Sequence, residues 1–259
     1  MATTTPQVAI RKLEERREGK GSPVVFLHGM NGLLFTEPFI EQLAKSHEVI
    51  IPIAPGWGEQ ALDPAYRSLD DIAYACLDLL DSIGGQVPVI GSSIGAWLAA
   101  EVATKSCEHI QSLVLVSPVG VRTGEPTERM YVDLYGAAPE TVSAAMYGET
   151  AKAPDRTALS DAQFLELARA EEATAYFGWE PYMHNPSLLG RLHRICVPTL
   201  LVTGERDGFV LRENHAGLFE ERLPKAAAPV VIPGAGHRVE ETAPSELAAA
   251  IDAFLGTVA

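Results

Sequence analysis

The stretch from Val87 to Ala103, Val-Pro-Val-Ile-Gly-Ser-Ser-Ile-Gly-Ala-Trp-Leu-Ala-Ala-Glu-Val-Ala, constrains the fold more than any other in this chain. A short apolar run, Val87 to Ile90, reads as a buried strand that breaks at Gly91, and a small-residue helix is expected from about Ile94. Gly91, Ser93 and Gly95 spell G-x-S-x-G across the junction. A serine on so sharp a strand-to-helix turn is held in a strained backbone conformation, with its hydroxyl lifted off the end of the sheet. The flanking glycines leave room for the turn, since a Cβ at either would crowd it. Ala96, Ala99, Ala100 and Ala103 let the helix lie close to the strands beneath. An ordinary strand–turn–helix with an incidental serine has the same local pattern, so the rest of the chain has to discriminate.

Upstream, Gln7 to Glu15 alternates weakly through Val8 and Ile10 and gives way to a charged run, Arg11 to Lys20. An edge strand or hairpin with a solvated face is expected there. Val24 to Leu27 reads as a central strand ending in the loop His28-Gly29-Met30-Asn31-Gly32. A helix over Phe35 to Ser46 and a strand over Val49 to Ile53 follow, and the turn cluster Ala54-Pro55-Gly56-Trp57-Gly58 closes that unit. Asp70 to Ile83 has apolar residues at helical spacing, and Ile110 to Val116 reads as another buried strand. Strands alternating with helices in this way argue a mostly parallel sheet with helices on both faces.

Between Val121 and Arg194 the texture changes to helical segments rich in aromatics and methionine, with no convincing strand. An insertion at the carboxyl end of a sheet strand sits where ligands bind in such folds. It is expected to be a helical cap (121–194) on a core formed by 1–120 and 195–259, most of its large apolar side chains filling its own core and a minority lining a pocket. The sheet pattern resumes at Val197 to Thr203, ending in Gly204-Glu205-Arg206-Asp207-Gly208. A helix over Arg212 to Arg222, a last strand over Pro229 to Ile232, the turn Pro233-Gly234-Ala235-Gly236-His237 and a helix over Pro244 to Leu255 complete the chain. Asp207 and His237 thus fall past the carboxyl ends of strands, on the edge where Ser93 is presented.

At 259 residues the chain is long enough for a large core, and its net charge of −14 argues against a nucleic-acid or anionic-membrane partner. The expected partner is a small-molecule substrate, and the oligomeric state is left open. Cys76, Cys107 and Cys196 are widely spaced, without a metal-like C-x-x-C pair, and read as reduced core thiols. The N-terminal residues have no basic or apolar leader pattern, and no apolar run approaches membrane-spanning length, so a cytoplasmic location is expected.

Ser93 within G-x-S-x-G, Asp207 and His237 resemble, in that chain order, the nucleophile, acid and base of the α/β-hydrolases. His28-Gly29 after one strand and Pro55-Gly56-Trp57-Gly58 after the next are also similar to that family. The resemblance runs from Val24 onward and implies an α/β-hydrolase fold with an inserted helical cap. It further implies that His237 activates Ser93, that Asp207 orients His237, and that the backbone N–H groups of Met30 and Ile94 form an oxyanion hole. No metal or organic cofactor is implied.

The serine disfavours the aspartate-dependent dehalogenase and epoxide hydrolase chemistries of this fold. Carbon–carbon bond hydrolases of ring-cleavage products use serine and a cap, but usually have Asn where this chain has Ser92 and commonly an aromatic where it has Arg238. An esterase-like hydrolase of a small, partly apolar ester, thioester or lactone is the leading expectation. A carbon–carbon hydrolase, a cofactor-free perhydrolase and a catalytically silent receptor are the alternatives. Glu205 is a lesser alternative to Asp207 as the acid, and His28 is expected to hold its loop. His184, His193 and His215 are expected at the surface or in the cap. Arg191 and Arg194 are candidates for meeting a substrate carboxylate or, more simply, surface ion pairs.

Overall fold

The structure, a computed structural model, describes residues 12–125, 128–148, 153–211 and 215–258. Seven strands make one sheet: β1 (Glu14–Gly19), β2 (Ser22–Leu27), β3 (His47–Ile53), β4 (Val87–Ser92), β5 (Ile110–Val116), β6 (Thr199–Gly204) and β7 (Val230–Ile232). Their spatial order is β1-β3-β2-β4-β5-β6-β7. All neighbours are parallel except β1, which runs antiparallel to β3. Alternate residues of one strand enter opposite cores, as the two-residue period of a strand requires. In β5, Leu113 and Leu115 join the cluster that includes α2 (Leu69–Ile83) and α3 (Ile94–Lys105). Val114 and Val116 join the cluster under α1 (Glu37–Leu43) and the last helix, over Pro244–Val258.

β1 is the edge strand expected here, with a solvated face. It lies in the charged run, while Gln7 to Arg11, where the weak alternation occurs, fall outside the described residues. An edge strand is hydrogen-bonded on one side only and needs no apolar stripe. Its charges are paired instead, Arg16 with Glu37 and Arg17 with Glu48 at 3.2 Å, and charged edges discourage pairing with another chain.

Between β5 and β6 the described residues form α4 (Pro139–Tyr147), α5 (Asp161–Gly178) and α6 (Leu188–Arg191), with no named strand. α5 starts at a capping box in which Ser160 and Gln163 exchange side-chain-to-backbone bonds. The excursion leaves and returns at one place, because Gly120 N–H donates to the Met183 carbonyl at 3.0 Å and Asn185 N–H to the Gly120 carbonyl at 2.9 Å. Asn185 Nδ2 also donates to Glu101 of α3 at 2.7 Å. The segment shares one apolar cluster with the sheet, and Phe177 stacks on Trp57 at 5.7 Å. Most of its large side chains are buried, including Met130, Tyr131, Met146, Tyr147, Phe177 and Met183, while Tyr135, Phe164, Tyr176 and Trp179 are exposed.

Beyond β6 come α7 (His215–Glu220), α8 (Val239–Thr242) and α9 (Pro244–Val258). The short α8 has too few residues to show a helical period in sequence. Two further expectations need correction. Cys76 is a buried core thiol, pushed up by burial to about 12, but Cys107 is half-buried and Cys196 is exposed. His215 is neither at the surface nor in the cap. It is buried at the start of α7 against the Pro118 carbonyl at 3.1 Å, and burial lowers it to about 4.

Packing at the start of α3 is very close. A Cβ on Gly95 would lie 2.1 Å from the Leu27 carbonyl oxygen and 2.4 Å from that of His28. Those oxygens belong to the β2 backbone and its loop and cannot swing aside as a side chain would. Gly95→Ala is expected to destabilise by about 1–3 kcal/mol or more. With a melting shift of about 2–4 °C per kcal/mol at this chain length, thermal denaturation is the measurement, and an unchanged melting temperature would refute the close contact.

Candidate active site

Ser93 sits between β4 and α3 with φ 52° and ψ −112°, a positive φ that L side chains rarely adopt. The tie that holds it there is a bond from its own N–H to the Val116 carbonyl at 2.9 Å. Gly91 is needed beneath it, since a Cβ there would come 2.3 Å from the Gly95 carbonyl oxygen. The strain is thus over-determined by backbone packing on both sides.

His237 and Asp207 arrive from the loops after β7 and β6. Arg206 N–H bonds the Ala235 carbonyl at 2.8 Å, and Glu205 Oε2 accepts from Gly234 N–H at 2.9 Å, so the two loops are stitched together. Glu205 therefore spends its carboxylate on the neighbouring turn. His237 Nε2 lies 2.8 Å from Ser93 Oγ, and its Nδ1 lies 2.8 Å from Asp207 Oδ2. Asp207 Oδ1 accepts from the Phe209 and Val210 N–H groups at 3.0 and 3.3 Å. Burial pushes the Asp207 carboxyl up, but the His237 charge, their hydrogen bond and the two backbone donors together hold it below its ordinary value. The chemistry open to such a row is withdrawal of the serine proton by the imidazole, with the carboxylate fixing the ring and its charge.

The loop after β2 is equally fixed. The Gly29 carbonyl accepts from Gly32 N–H at 3.1 Å and lies 3.0 Å from His28 Nδ1, which sets the plane of the Gly29–Met30 peptide and turns the Met30 N–H the other way. The Met30 carbonyl takes Trp57 Nε1 at 2.9 Å and Thr174 Oγ1 at 3.3 Å. Ile94 opens α3, so its N–H has no partner within the helix. His28 is buried and holds the loop, as expected. The roles of Trp57 and Thr174 escaped the sequence: Trp57 lies in a recognised turn cluster, but nothing marks Thr174 among the residues of α5.

A cavity of about 530 Å³ opens between this loop and α4 and α5, with Met30, Asn31, Met146, Tyr147, Thr174 and Arg238 on its wall. Ser93 is 2% exposed and is not on that wall. A separate crevice beside Trp57 and Ile94, about 20 Å³, is close to the size of one water and too small for a substrate. Arg191 and Arg194 are not on the cavity wall either, and Arg194 Nε is bound to the Thr104 carbonyl at 2.8 Å. His184 is buried in the cap segment, and His193 is exposed. Among the described residues no group of three His, Cys, Asp or Glu side chains is placed to hold a metal ion.

Glu240, in α8, is buried beneath the loop after β2. A Cβ on Gly29 would come 2.9 Å from its Oε1. Burial, then the Glu241 charge, raise its carboxyl from 4.5 to about 7, while the Ser92 hydroxyl, the backbone and His237 pull the other way. Neither Ser92 Oγ nor Glu240 Oε2 completes a hydrogen bond. The folded state thus keeps a proton that the unfolded chain releases. Stability linked to Glu240 is fully present below about pH 4.5 and is lost as pH rises through about 7. Thermal denaturation across that range should show the wild type losing stability relative to Glu240→Gln as pH increases. Parallel curves for the two proteins would refute it.

Comparison with known proteins agrees with this architecture. The model of the alpha/beta hydrolase family matches residues 24–250. An acetyltransferase component of an acetoin cleaving system from Cupriavidus necator is 32% identical over 113 residues, 43% of this chain. Two curated relatives of more than 30% identity, this one included, are matched over 30% and 38% of their own lengths, about a third. A pimeloyl-[acyl-carrier protein] methyl ester esterase from Nitrosomonas europaea is 23% identical, over 91% of this chain and 96% of that protein. Among solved structures, a meta-cleavage product hydrolase from Pseudomonas fluorescens superposes with a TM-score of 0.74 at 17% identity, covering 95% of this chain and 94% of that one, a likeness of fold. With the family pattern matched from the second strand into the last helix, this chain belongs to the alpha/beta hydrolase family.

Proposed function

We propose that the protein is a serine hydrolase that cleaves a small, partly apolar ester, thioester or lactone through an acyl-enzyme on Ser93. The observation that carries this reading is the hydrogen-bonded row Ser93–His237–Asp207, with both links at 2.8 Å. Ser93 Oγ attacks the carbonyl carbon as its proton passes to His237 Nε2, and Asp207 stabilises the resulting imidazolium. The Met30 and Ile94 N–H groups meet the developing oxyanion. His237 then protonates the leaving oxygen or sulfur. Water attacks the acyl carbon, gives its proton to His237, and Ser93 leaves with that proton restored. The full-length similarity to a methyl ester esterase supports an acyl substrate. The three cysteines are free, which suits a reducing, cytoplasmic setting, and among the described residues no helix is long and apolar enough to cross a membrane.

A serine-directed fluorophosphonate should add one mass increment on the peptide holding Ser93, and Ser93→Ala should abolish it. His237→Ala and Asp207→Asn should each lower kcat by roughly 10³–10⁶-fold, the double variant losing little beyond the worse single one. Labelling elsewhere, or additive losses, would sink the assignment.

The segment 121–194 acts in this reading as a cap that selects the substrate. Met146 is buried on the cavity wall, and a thioether side chain fills irregular space without fixing it. Met146→Ala should move the kcat/KM optimum towards bulkier acyl groups, each fitted methylene being worth about 1–3 kcal/mol. A uniform loss across an ester series of graded acyl length would make Met146 a stability residue instead.

A further inference from the structure

Arg238 is an unusual residue to find beside a catalytic base. It follows His237 directly, so their Cα atoms lie about 3.8 Å apart, and its side chain is only 11% exposed while lining the large cavity. Its surroundings have been built around it. Nη1 donates to the Tyr147 hydroxyl at 2.5 Å, and the guanidinium lies 5.2 Å from the centre of the Tyr147 ring. The Tyr147 hydroxyl in turn donates to Glu241 Oε2 at 3.0 Å, and Asn31 Nδ2 donates to Glu241 Oε1 at 3.0 Å. Glu241 therefore has both oxygens engaged by other donors and stands 3.6 Å from Arg238 Nη1, beyond hydrogen-bond distance.

The charge balance of the wall follows. Arg156 and Glu171 also line the cavity and neutralise one another at 2.8 Å. Among the described residues Arg238 is then the remaining guanidinium on the wall, and Glu241, its counter-charge at 3.6 Å, is not part of that wall. Among the described residues, Nη1 alone of the Arg238 side-chain nitrogens has a protein acceptor within hydrogen-bond distance. The Nε–H and the Nη2 N–H groups, the edge that takes a carboxylate bidentately, have none. Neither nitrogen is among the fully buried atoms that lack a partner, so this edge stays open to whatever fills the cavity. On a chain of net charge −14, nothing at long range would favour an anionic ligand, so the selection has to be local.

We propose that Arg238 is a specificity-determining residue and that the substrate carries a free carboxylate close to its scissile bond. The carboxylate docks on the Nε/Nη2 edge of Arg238. This deepens the hydrolase reading and rests on it. The carboxylate can lie on the acyl side, as in a half-ester of a short dicarboxylic acid, or on the alcohol side, as in an acylated hydroxy acid.

Two substrate pairs of matched size separate these cases: monomethyl glutarate against methyl pentanoate, and O-acetyl-lactate against isopropyl acetate. In the wild type at neutral pH, at least one anionic ester should exceed its neutral match in kcat/KM by roughly 10-fold or more, and the pair that does so identifies the side. Arg238→Met should lower that ratio by roughly 10–100-fold, and Arg238→Lys, which keeps the charge without the fork, by less. Should the Met variant fail to fold, the wild-type ratio and the Lys variant still decide. No preference for either anionic ester in the wild type, or equal loss on both members of a pair, overturns the proposal. Calorimetric titration of Ser93→Ala with the same anionic esters reads the subsite without turnover. Binding that depends on Arg238, in a protein whose Ser93 takes no fluorophosphonate, would fault the hydrolase reading alone. Fluorophosphonate labelling of Ser93 without anion preference or anion binding would fault this proposal alone.

Discussion

The carboxyl edge of the sheet depends on how tightly the first turn of α3 is pressed onto β2. Gly95 lies so near the Leu27 and His28 carbonyls that no side chain fits, and Gly91 meets the Gly95 carbonyl from the other side. This clamp keeps Ser93 at positive φ, which would otherwise relax, since strain of this kind costs on the order of 1–3 kcal/mol. It also brings the Ile94 N–H and the loop after β2 to the same point. One close backbone contact thereby fixes Ser93 and the N–H groups of Ile94 and Met30 relative to each other.

Asp207 and His237 reach that point by a different route. Their loops are short, end parallel strands, and are tied by backbone bonds between Arg206 and Ala235 and by Glu205 to the Gly234 turn. Fixed loops let Asp207 remain ionised despite burial, because two backbone N–H groups and His237 compensate the lost water. Glu240, a few residues on, shows the opposite outcome of the same burial. With its Oε2 left unpartnered and the Glu241 charge nearby, burial pushes it up to about 7.

Three chain segments meet at one polar cluster beside the cavity. Asn31 comes from the loop after β2, Tyr147 from the end of α4, and Arg238 and Glu241 from the base loop and α8. Their hydrogen bonds join α4 to the carboxyl edge of the sheet. Shifts of α4 are therefore coupled to the residue following His237, and the Arg238 N–H bond to the Met146 carbonyl at 3.1 Å adds a backbone link.

Local sequence determined the elements whose signals are local. The buried strands from Val24 to Val202 are continuous apolar runs, the elbow is written in Gly91, Ser93 and Gly95, and Asp207 and His237 stand in turns just past strands. The sheet order, and with it the meeting of Ser93, Asp207 and His237, follows from pairing β6 and β7 beyond β5, a long-range choice that family resemblance anticipated and local pattern did not. The edge strand was placed but its bounds were not legible, because a one-sided ladder needs no apolar period. The cap's exposed aromatics, the buried His215, and the roles of Thr174, Glu240 and Arg238 were invisible for one reason. Whether a polar or aromatic side chain is buried, paired or aimed at a cavity depends on neighbours far away in the chain, and only the tertiary structure brings those neighbours together.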